Sequence, residues 1–499
     1  MNSTYIRGSG VLLHPTSLPT PVIGDLSAGR AFVDWLVAAG QRYWQILPLV
    51  PVAGGGSPYN GLSALAGNPM LVSPSFLVDK GLLEEGDCAL PAERIGRPAG
   101  TAHVDFEQAF AWKEDLFTRA HVRFVEGSTT RFGAAYTEYR ESVGPWLFDY
   151  AFFRALRAHH AAAPWTQWEP AIRDRRPEAM ERWSRRLRRE IDFYAFQQFL
   201  FELEWGELRR YANERGVAII GDLPIFVAHD SADVWANPDI FMLDERGIPE
   251  VVSGVPPDYF SATGQRWGNP LYRWDLLRSR SYDWWVQRFR RTFEMVDIVR
   301  VDHFRGFESY WEIPVEEETA VRGEWRKGPG EDFFREIEKQ VDYARIIVED
   351  LGIITPAVHA LREKIGAPGM RVLQFAFDGD ATNPHLPENY PAHSVAYTGT
   401  HDNDSLLGWW ESLPDEERRR VVDWIGTDAP SNQDFIAAVM RSAADIVIIP
   451  LQDLLGLGSK SRMNVPGVAS GNWTWQTSEL PGSDVARRFH QAARSTGRA

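Results

Sequence analysis

Eight short runs of β-branched and apolar residues, most of them ending in polar residues or in Gly and Pro, place the strongest constraint on this chain of 499 residues. They read G-V-L-L-H-P (Gly10–Pro15), Y-W-Q-I-L-P-L (Tyr43–Leu49), V-A-I-I-G-D-L-P (Val217–Pro224) and D-I-V-R-V-D-H (Asp297–His303). The later four are R-I-I-V-E-D-L-G (Arg345–Gly352), R-V-L-Q-F-A-F-D (Arg371–Asp378), S-V-A-Y-T-G-T-H-D (Ser394–Asp402) and D-I-V-I-I-P-L-Q-D (Asp445–Asp453). Runs this short and this apolar suit strands buried on both faces of a parallel sheet. Helix-like segments such as A-L-R-E-K-I and D-W-W-V-Q-R-F-R-R-T-F-E-M lie between them. Eight β-α units favour a (β/α)8 barrel over an open sheet.

The spacing is uneven. The stretch between the second and third runs is far longer than a crossover, and the one between the third and fourth is also long. The sequence therefore predicts one catalytic barrel unit over 1–499 with large, partly helical insertions near the active-site face. One is a mainly helical inserted subdomain at 60–215, where F-D-Y-A-F-F-R-A-L-R and I-D-F-Y-A-F-Q-Q-F-L-F-E-L-E-W repeat aromatic residues at helical intervals. The other spans 228–290 and holds an aromatic loop at 256–272.

In such a barrel the C-terminal strand ends share one rim, where chemistry gathers. Read in order, those ends supply Asp222, then Arg300 with Asp302 and His303, Glu349 with Asp350, Asp378, His401 with Asp402, and Asp453. Alternation along a strand puts Arg300 and Asp302 on one side and allows only one of Glu349 and Asp350 to face the mouth. An Arg and an Asp so placed form either a structural ion pair or a catalytic carboxylate held ionised by its neighbour. Paired carboxylates suit proton transfer and nucleophilic attack at an acetal carbon. A metal site is the competing use of such a cluster, but no H-x-H or H-E-x-x-H pair is present, so neither a metal nor a cofactor is expected.

Composition narrows the partners. A net charge of -15 opposes a nucleic-acid partner, and the basic patch at Arg173–Glu190 is interrupted by glutamates, as on a solvated helix face. A single cysteine, Cys88, excludes an internal disulfide. No apolar run approaches the roughly 18 residues needed to cross a bilayer, so a cytoplasmic protein is expected, with no membrane partner, as a monomer or weak homodimer. Aromatic residues reach 12%, including 20 Trp, and flat aromatic faces suit sugar rings.

Longer motifs carry a resemblance. S-P-Y at Ser57–Tyr59 is followed by S-A-L-A-G-N-P, then G-D-L-P-I-F-V-A-H-D-S-A-D-V-W (Gly221–Trp235) and P-P-D-Y-F-S-A-T-G-Q-R-W-G-N-P-L-Y (Pro256–Tyr272). R-V-D-H-F-R-G-F, V-E-D-L-G-I-I-T-P, Y-T-G-T-H-D-N-D, P-L-Q-D-L-L-G-L-G and R-M-N-V-P-G follow in order. In these motifs the chain resembles the 4-α-glucanotransferases of the amylomaltase or disproportionating-enzyme type, within the wider α-amylase clan.

The resemblance implies that Asp302 is the nucleophile, oriented and kept ionised by Arg300, and that Glu349 is the general acid/base, its pKa raised by the nearby anion of Asp302. It implies that Asp402 grips sugar hydroxyls in the transition state, that His401 bonds the sugar beside the cleaved bond, and that Asp222 shapes the site. Tyr59, Asp258, Gln265, Asp378 and Asn464 are implied as glucan contacts. Tyr259, Phe260 and Trp267 are implied as a lid that stacks on acceptor sugars. The implied substrates are an α-1,4-glucan donor and a glucose or maltooligosaccharide acceptor. Departures are few: Gly24-Asp25-Leu26-Ser27 stands where the family has G-D-L-G, and Ser405 where Thr is common. A hydrolase on the same site and a non-catalytic glucan-binding protein are the competing expectations.

Overall fold

The computed structural model describes residues 6–91, 103–127, 130–257, 261–341 and 345–499. Twelve strands form within them: β1 (Gly8–Leu12), β2 (Tyr43–Gln45), β3 (Ala218–Leu223), β4 (Val251–Val255), β5 (Gln265–Pro270) and β6 (Ile298–Val301), followed by β7 (Ser309–Pro314), β8 (Glu324–Lys327), β9 (Ile346–Val348), β10 (Gly369–Val372), β11 (Ser394–Tyr397) and β12 (Ile446–Pro450). Each of the eight expected runs supplies one barrel strand. Those strands pair in parallel in the closed order β1-β2-β3-β6-β9-β10-β11-β12, with β12 returning to β1. The result is a (β/α)8 barrel. Its strands read as unbroken apolar runs, such as Ile446–Pro450, because both faces are covered.

A second sheet was not legible in the sequence. It is antiparallel, in the order β5-β4-β7-β8, and rises from the segments on either side of β6. Its strands V-V-S-G-V, Q-R-W-G-N-P and E-W-R-K lack a clean apolar alternation.

Between β2 and β3 the chain is helical, including Phe106–Val125, Thr130–Ser142, Pro145–His159 and Arg188–Glu214. The last of these packs on the barrel: Trp205 donates its indole N–H to the Met295 carbonyl at 2.8 Å. A Cβ on Gly67 would lie 2.0 Å from the Phe201 ring, so only glycine permits that approach. Buried polar groups at this junction are matched. Lys113 Nζ donates to Asp25 at 3.0 Å, and the Glu204 carboxyl accepts the Ser73 N–H at 2.8 Å and its hydroxyl at 2.5 Å. Among the described residues no helix is long and apolar enough to cross a membrane.

The floor of the barrel, at the strands' N-terminal ends, is closed by charge. Both carboxylate oxygens of Asp297 are used: one accepts from Arg209 at 2.7 and 3.0 Å, the other from Asn213 at 2.7 Å and the Ile219 N–H at 2.8 Å. Arg498, fully buried, donates to the carbonyls of Met440 and Ser442 at 2.8 Å, of Asp445 at 3.2 Å and of Gly8 at 3.5 Å.

Candidate active site

Inside the barrel, just below its mouth, side chains from five strands meet. Arg300 on β6 lies between Asp222 on β3 and Met370 on β10, its Nη1 2.7 Å from both Asp222 oxygens and its Nε 3.4 Å from the Met370 sulfur. Tyr397 on β11 donates to Gln45 on β2 at 2.8 Å. The same Nη1 reaches Asp302 Oδ1 at 3.0 Å, so alternation does bring Arg300 and Asp302 to one side. One guanidinium therefore serves two carboxylates.

That arrangement places Asp302 under opposing influences. Burial raises its pKa, the Coulombic pull of Arg300 opposes the rise, and Asp222, Glu349 and Asp402 add to it. Arg300 is already shared with Asp222, so it orients Asp302 but cannot by itself hold it in the ordinary carboxylate range. The pKa of Glu349 is raised too, first by burial, with Asp350 adding to the rise and Arg300 opposing it.

Glu349 is held by backbone. Its carboxyl accepts the His303 N–H at 2.8 Å and the Leu351 N–H at 2.8 Å. His303 adopts a left-handed conformation (φ 48), unfavourable for a residue with a Cβ, in the turn that directs its N–H to Glu349. Asp350 faces away, accepting from Arg362 at 2.6 Å and the Met370 N–H at 2.7 Å, so alternation separates a mouth residue from a structural one.

On the opposite side of the mouth, Tyr59 donates its hydroxyl proton to Asp222 at 2.6 Å. A phenol has one proton, so the 2.9 Å contact with His401 requires Nε2 of that ring to be the donor. His401 Nε2 is also 3.4 Å from Asp402, and burial lowers its pKa. Asp402 Oδ1 accepts from the Asn464 amide at 2.6 Å, and Arg462 donates to the Asp402 and Asn464 carbonyls at 2.6 and 2.8 Å. Gln265 on β5 accepts from the Trp267 indole at 3.1 Å. Trp267 stands 4.8 Å from the His303 ring, edge to face.

The structure thus gathers Asp222, Arg300, Asp302, Glu349, Tyr59, His401, Asp402 and Asn464, with Gln265 and Trp267 at the edge beside His303. It does not bring Asp378 to them. Asp378 is exposed and accepts the N–H of Asp380 within its own turn. Asp453 is fully buried, bonded to the Thr398 hydroxyl at 2.6 Å and the Leu406 N–H at 2.7 Å, and belongs to the framework. Asp258, Tyr259 and Phe260 lie outside the described residues.

Three groups at the site were missed as site residues. His303 is half-buried, its imidazole lowered to about 3 by desolvation and its Nε2 unpartnered. Its position directly after Asp302 was the available signal. Trp473 lies 5.7 Å from the Tyr59 ring and 5.9 Å from that of His401, which no local pattern predicts. Arg288, on the helix Asp283–Met295, is 2% exposed and donates to the Ile225 carbonyl at 3.2 Å, with the Tyr272 hydroxyl as a further hydrogen-bond partner. Its Nε is unpartnered, and it has no ion pair among the described residues. With Asp222 and Tyr59 it lines a cavity of about 40 Å³ behind the mouth, and burial lowers its pKa although Tyr272, Asp233 and Asp302 oppose the fall.

Comparison with known proteins agrees with this geometry. A family model described as 4-α-glucanotransferase matches residues 13–481. The chain belongs to that family. The 4-α-glucanotransferase of Synechocystis sp. is 47% identical over 479 residues, 94% of each chain, and that of Thermus thermophilus 46% identical over 488 residues, 95% of each. The amylomaltase of Streptococcus agalactiae, solved in complex with acarbose, superposes with a TM-score of 0.92 at 33% identity, covering 99% of this chain and 100% of that one. Membership at this identity over nearly the whole length makes 4-α-glucanotransfer the activity of the chain, in place of hydrolysis or binding alone.

Proposed function

We propose that the chain cleaves an α-1,4-glucan by retaining double displacement, with Asp302 as nucleophile and Glu349 as acid and then base, and passes the glycosyl group to the 4-hydroxyl of glucose or a maltooligosaccharide. The observation that carries this reading is the register of β6 and β9. Val301 pairs with Val348, so Asp302 and Glu349 occupy the next position on two hydrogen-bonded strands. Strands about 4.8 Å apart favour the separation of about 5–5.5 Å that retaining pairs use over the wider gap of inverting ones.

The proton assignment follows from the donors. Both carboxyls are partly buried and raised above the ordinary carboxylate range, and a charge on one disfavours a charge on the other. A full positive charge touches Asp302, whereas only neutral N–H groups touch Glu349, so the charge rests on Asp302 and the proton on Glu349. As the C–O bond breaks, Glu349 protonates the leaving oxygen and Asp302 bonds the anomeric carbon. Glu349 then takes the proton of the incoming 4-hydroxyl as the glycosyl–Asp302 bond opens.

Asp402, fixed by Asn464 and beside His401, is positioned to hold hydroxyls of the sugar being transferred. Tyr59 and Asp222 form the wall beneath it, Gln265 fixes Trp267, Trp267 stands on the acceptor side, and Asp258, Tyr259 and Phe260 are further glucan contacts. The insertions at 60–215 and 228–290 wall the cleft, with no cofactor in the cycle and the cytoplasm as the site of action. Transfer outcompetes water at about 55 M because the acceptor is held and the cleft is covered.

Incubation with maltotriose tests the reading. Glucose should appear together with products longer than the substrate. Rising reducing ends without longer products would overturn the acceptor assignment.

A further inference from the structure

Of twenty tryptophans, only Trp267 and Trp325 are exposed, each with 38% of its surface open. Both stand on the accessory sheet, at its two edge strands, β5 and β8. Trp267 belongs to the mouth. Trp325 has no part there: it lies opposite Trp311, which pairs with Gly254, which pairs with Arg266, so it shares the face of Arg266 and not that of Trp267. An open indole on an edge strand invites association with another chain. Here Glu324, Arg326 and Lys327 charge the same edge and oppose strand addition.

The ring is fixed from behind. The buried Arg305 guanidinium lies 3.7 Å from its centroid, covering one face. Trp311 meets it at 5.1 Å, edge-on, and is itself anchored by an indole N–H to the Ala320 carbonyl at 3.0 Å. Lys327 shares the face of Trp325. Arg326 is taken up by Glu312 and Glu324, but Lys327 has no ion pair among the described residues. Arg305 also connects this platform to the mouth, because it lies in the turn after Asp302 and donates to the carbonyl of Ile353, in the loop after Glu349. Ile353 is itself 54% exposed. A rigid indole face, an apolar side chain and an unpaired ammonium thus lie along the rim beyond the strand end that carries Glu349.

We propose that Trp325, flanked by Ile353 and Lys327, is an outlying binding site for the distal part of a long α-1,4-glucan chain. Stacking on the apolar face of a sugar, with a donor for its hydroxyls, is the recognition this surface offers, and it rests on the glucan-transfer reading given above. The site faces away from the Trp267 side of the sheet. A chain that reaches it has left the acceptor groove and passed over the loop after β9, so short oligosaccharides do not span both.

The test compares kcat/KM for transfer from amylose with kcat/KM for transfer from maltotriose. Trp325→Ala should lower the ratio about tenfold, through KM for amylose, the size of one lost aromatic stack. Trp325→Phe, which keeps a stacking ring, should retain most of it. A ratio within about twofold of the parent overturns the proposal. So does an equal loss on both substrates, which would be damage relayed through Arg305 to the Asp302 turn. Electrophoresis in an amylose-containing gel reads the site without turnover: Asp302→Asn should be retarded, and the added Trp325→Ala should relieve much of that retardation. If the parent makes no transfer products from either substrate, the reading of the mouth fails, while the gel still decides the outlying site, since equal retardation of the two variants overturns it.

Discussion

The two ends of the same eight strands treat charge in opposite ways. At the floor, Asp297 meets Arg209, Asn213 and the Ile219 N–H, so each of its oxygens is satisfied by donors, and Arg498 spends its own donors on backbone carbonyls. At the mouth, one arginine, Arg300, is divided between Asp222 and Asp302, Glu349 has only neutral hydrogen-bond partners, and the Asp402 carboxylate pairs with no arginine or lysine among the described residues. The barrel wall between them is apolar and common to both. The difference teaches that carboxylates are retained at the mouth against the interest of stability, as a site that must move protons and form a bond requires, whereas those at the floor hold the fold together.

The sharpest break of this comparison is Asp302→Asn. It removes the proposed nucleophile at nearly constant volume and one of the two carboxylates competing for Arg300. Transfer from maltotriose should fall by roughly four orders of magnitude or more, while the thermal midpoint stays level or rises, read by product analysis and calorimetry. Retained transfer would refute the assignment. At the floor the signs reverse. Asp297→Ala removes the carboxylate that Arg209, Asn213 and the Ile219 N–H share and should cost about 2–3 kcal/mol, seen as a lower denaturation midpoint, with kcat on maltotriose kept. Loss of kcat in a folded Asp297→Ala protein would erase the distinction between the ends.

A subtler change sharpens the picture of the mouth. The rate should follow a bell in pH. Its acid limb reports ionisation of Asp302 and its alkaline limb deprotonation of Glu349, both above the ordinary carboxylate range because both are buried. Arg288, facing Asp233, Asp302 and Tyr272, adds positive potential there. Arg288→Met should therefore make Asp302 harder to ionise and move the acid limb to higher pH, by roughly half a unit to one unit, with Arg288→Lys partly restoring it. An unmoved limb in both variants would show that Arg288 is there for packing on Trp284 and Trp285 alone.

Much of this was legible in the sequence, for a physical reason. A barrel strand is short, buried on both sides and ended by the group it presents, so Ile298–Val301 followed by Asp302 and Ile346–Val348 followed by Glu349 carry fold and chemistry in one stretch. The accessory sheet carries no such signal. Its outer strands β5 and β8 are largely exposed, and the pairing of β4 with β7, on either side of β6, joins the two halves of the sheet. Trp473 and Arg288 were invisible for a related reason, since each reaches the site from a distant segment by packing alone. Asp378 shows the reverse error: a polar residue at the end of a strand-like run, but one that the chain carries past the rim into an exposed turn.

The closure of the barrel by its first and last strands has a consequence for how the molecule is made. β1 pairs along its whole length with β12, and Arg498 reaches the Gly8 carbonyl across 490 positions of the chain. A ribosome adding about 5–20 residues per second needs roughly half a minute to a minute and a half to bridge that gap. Throughout that interval β1 has one edge without its partner, and the nascent barrel is an open, apolar sheet. The early helices, from Phe106–Val125 to Arg188–Glu214, emerge well before closure and cover part of the apolar surface that the waiting strands expose.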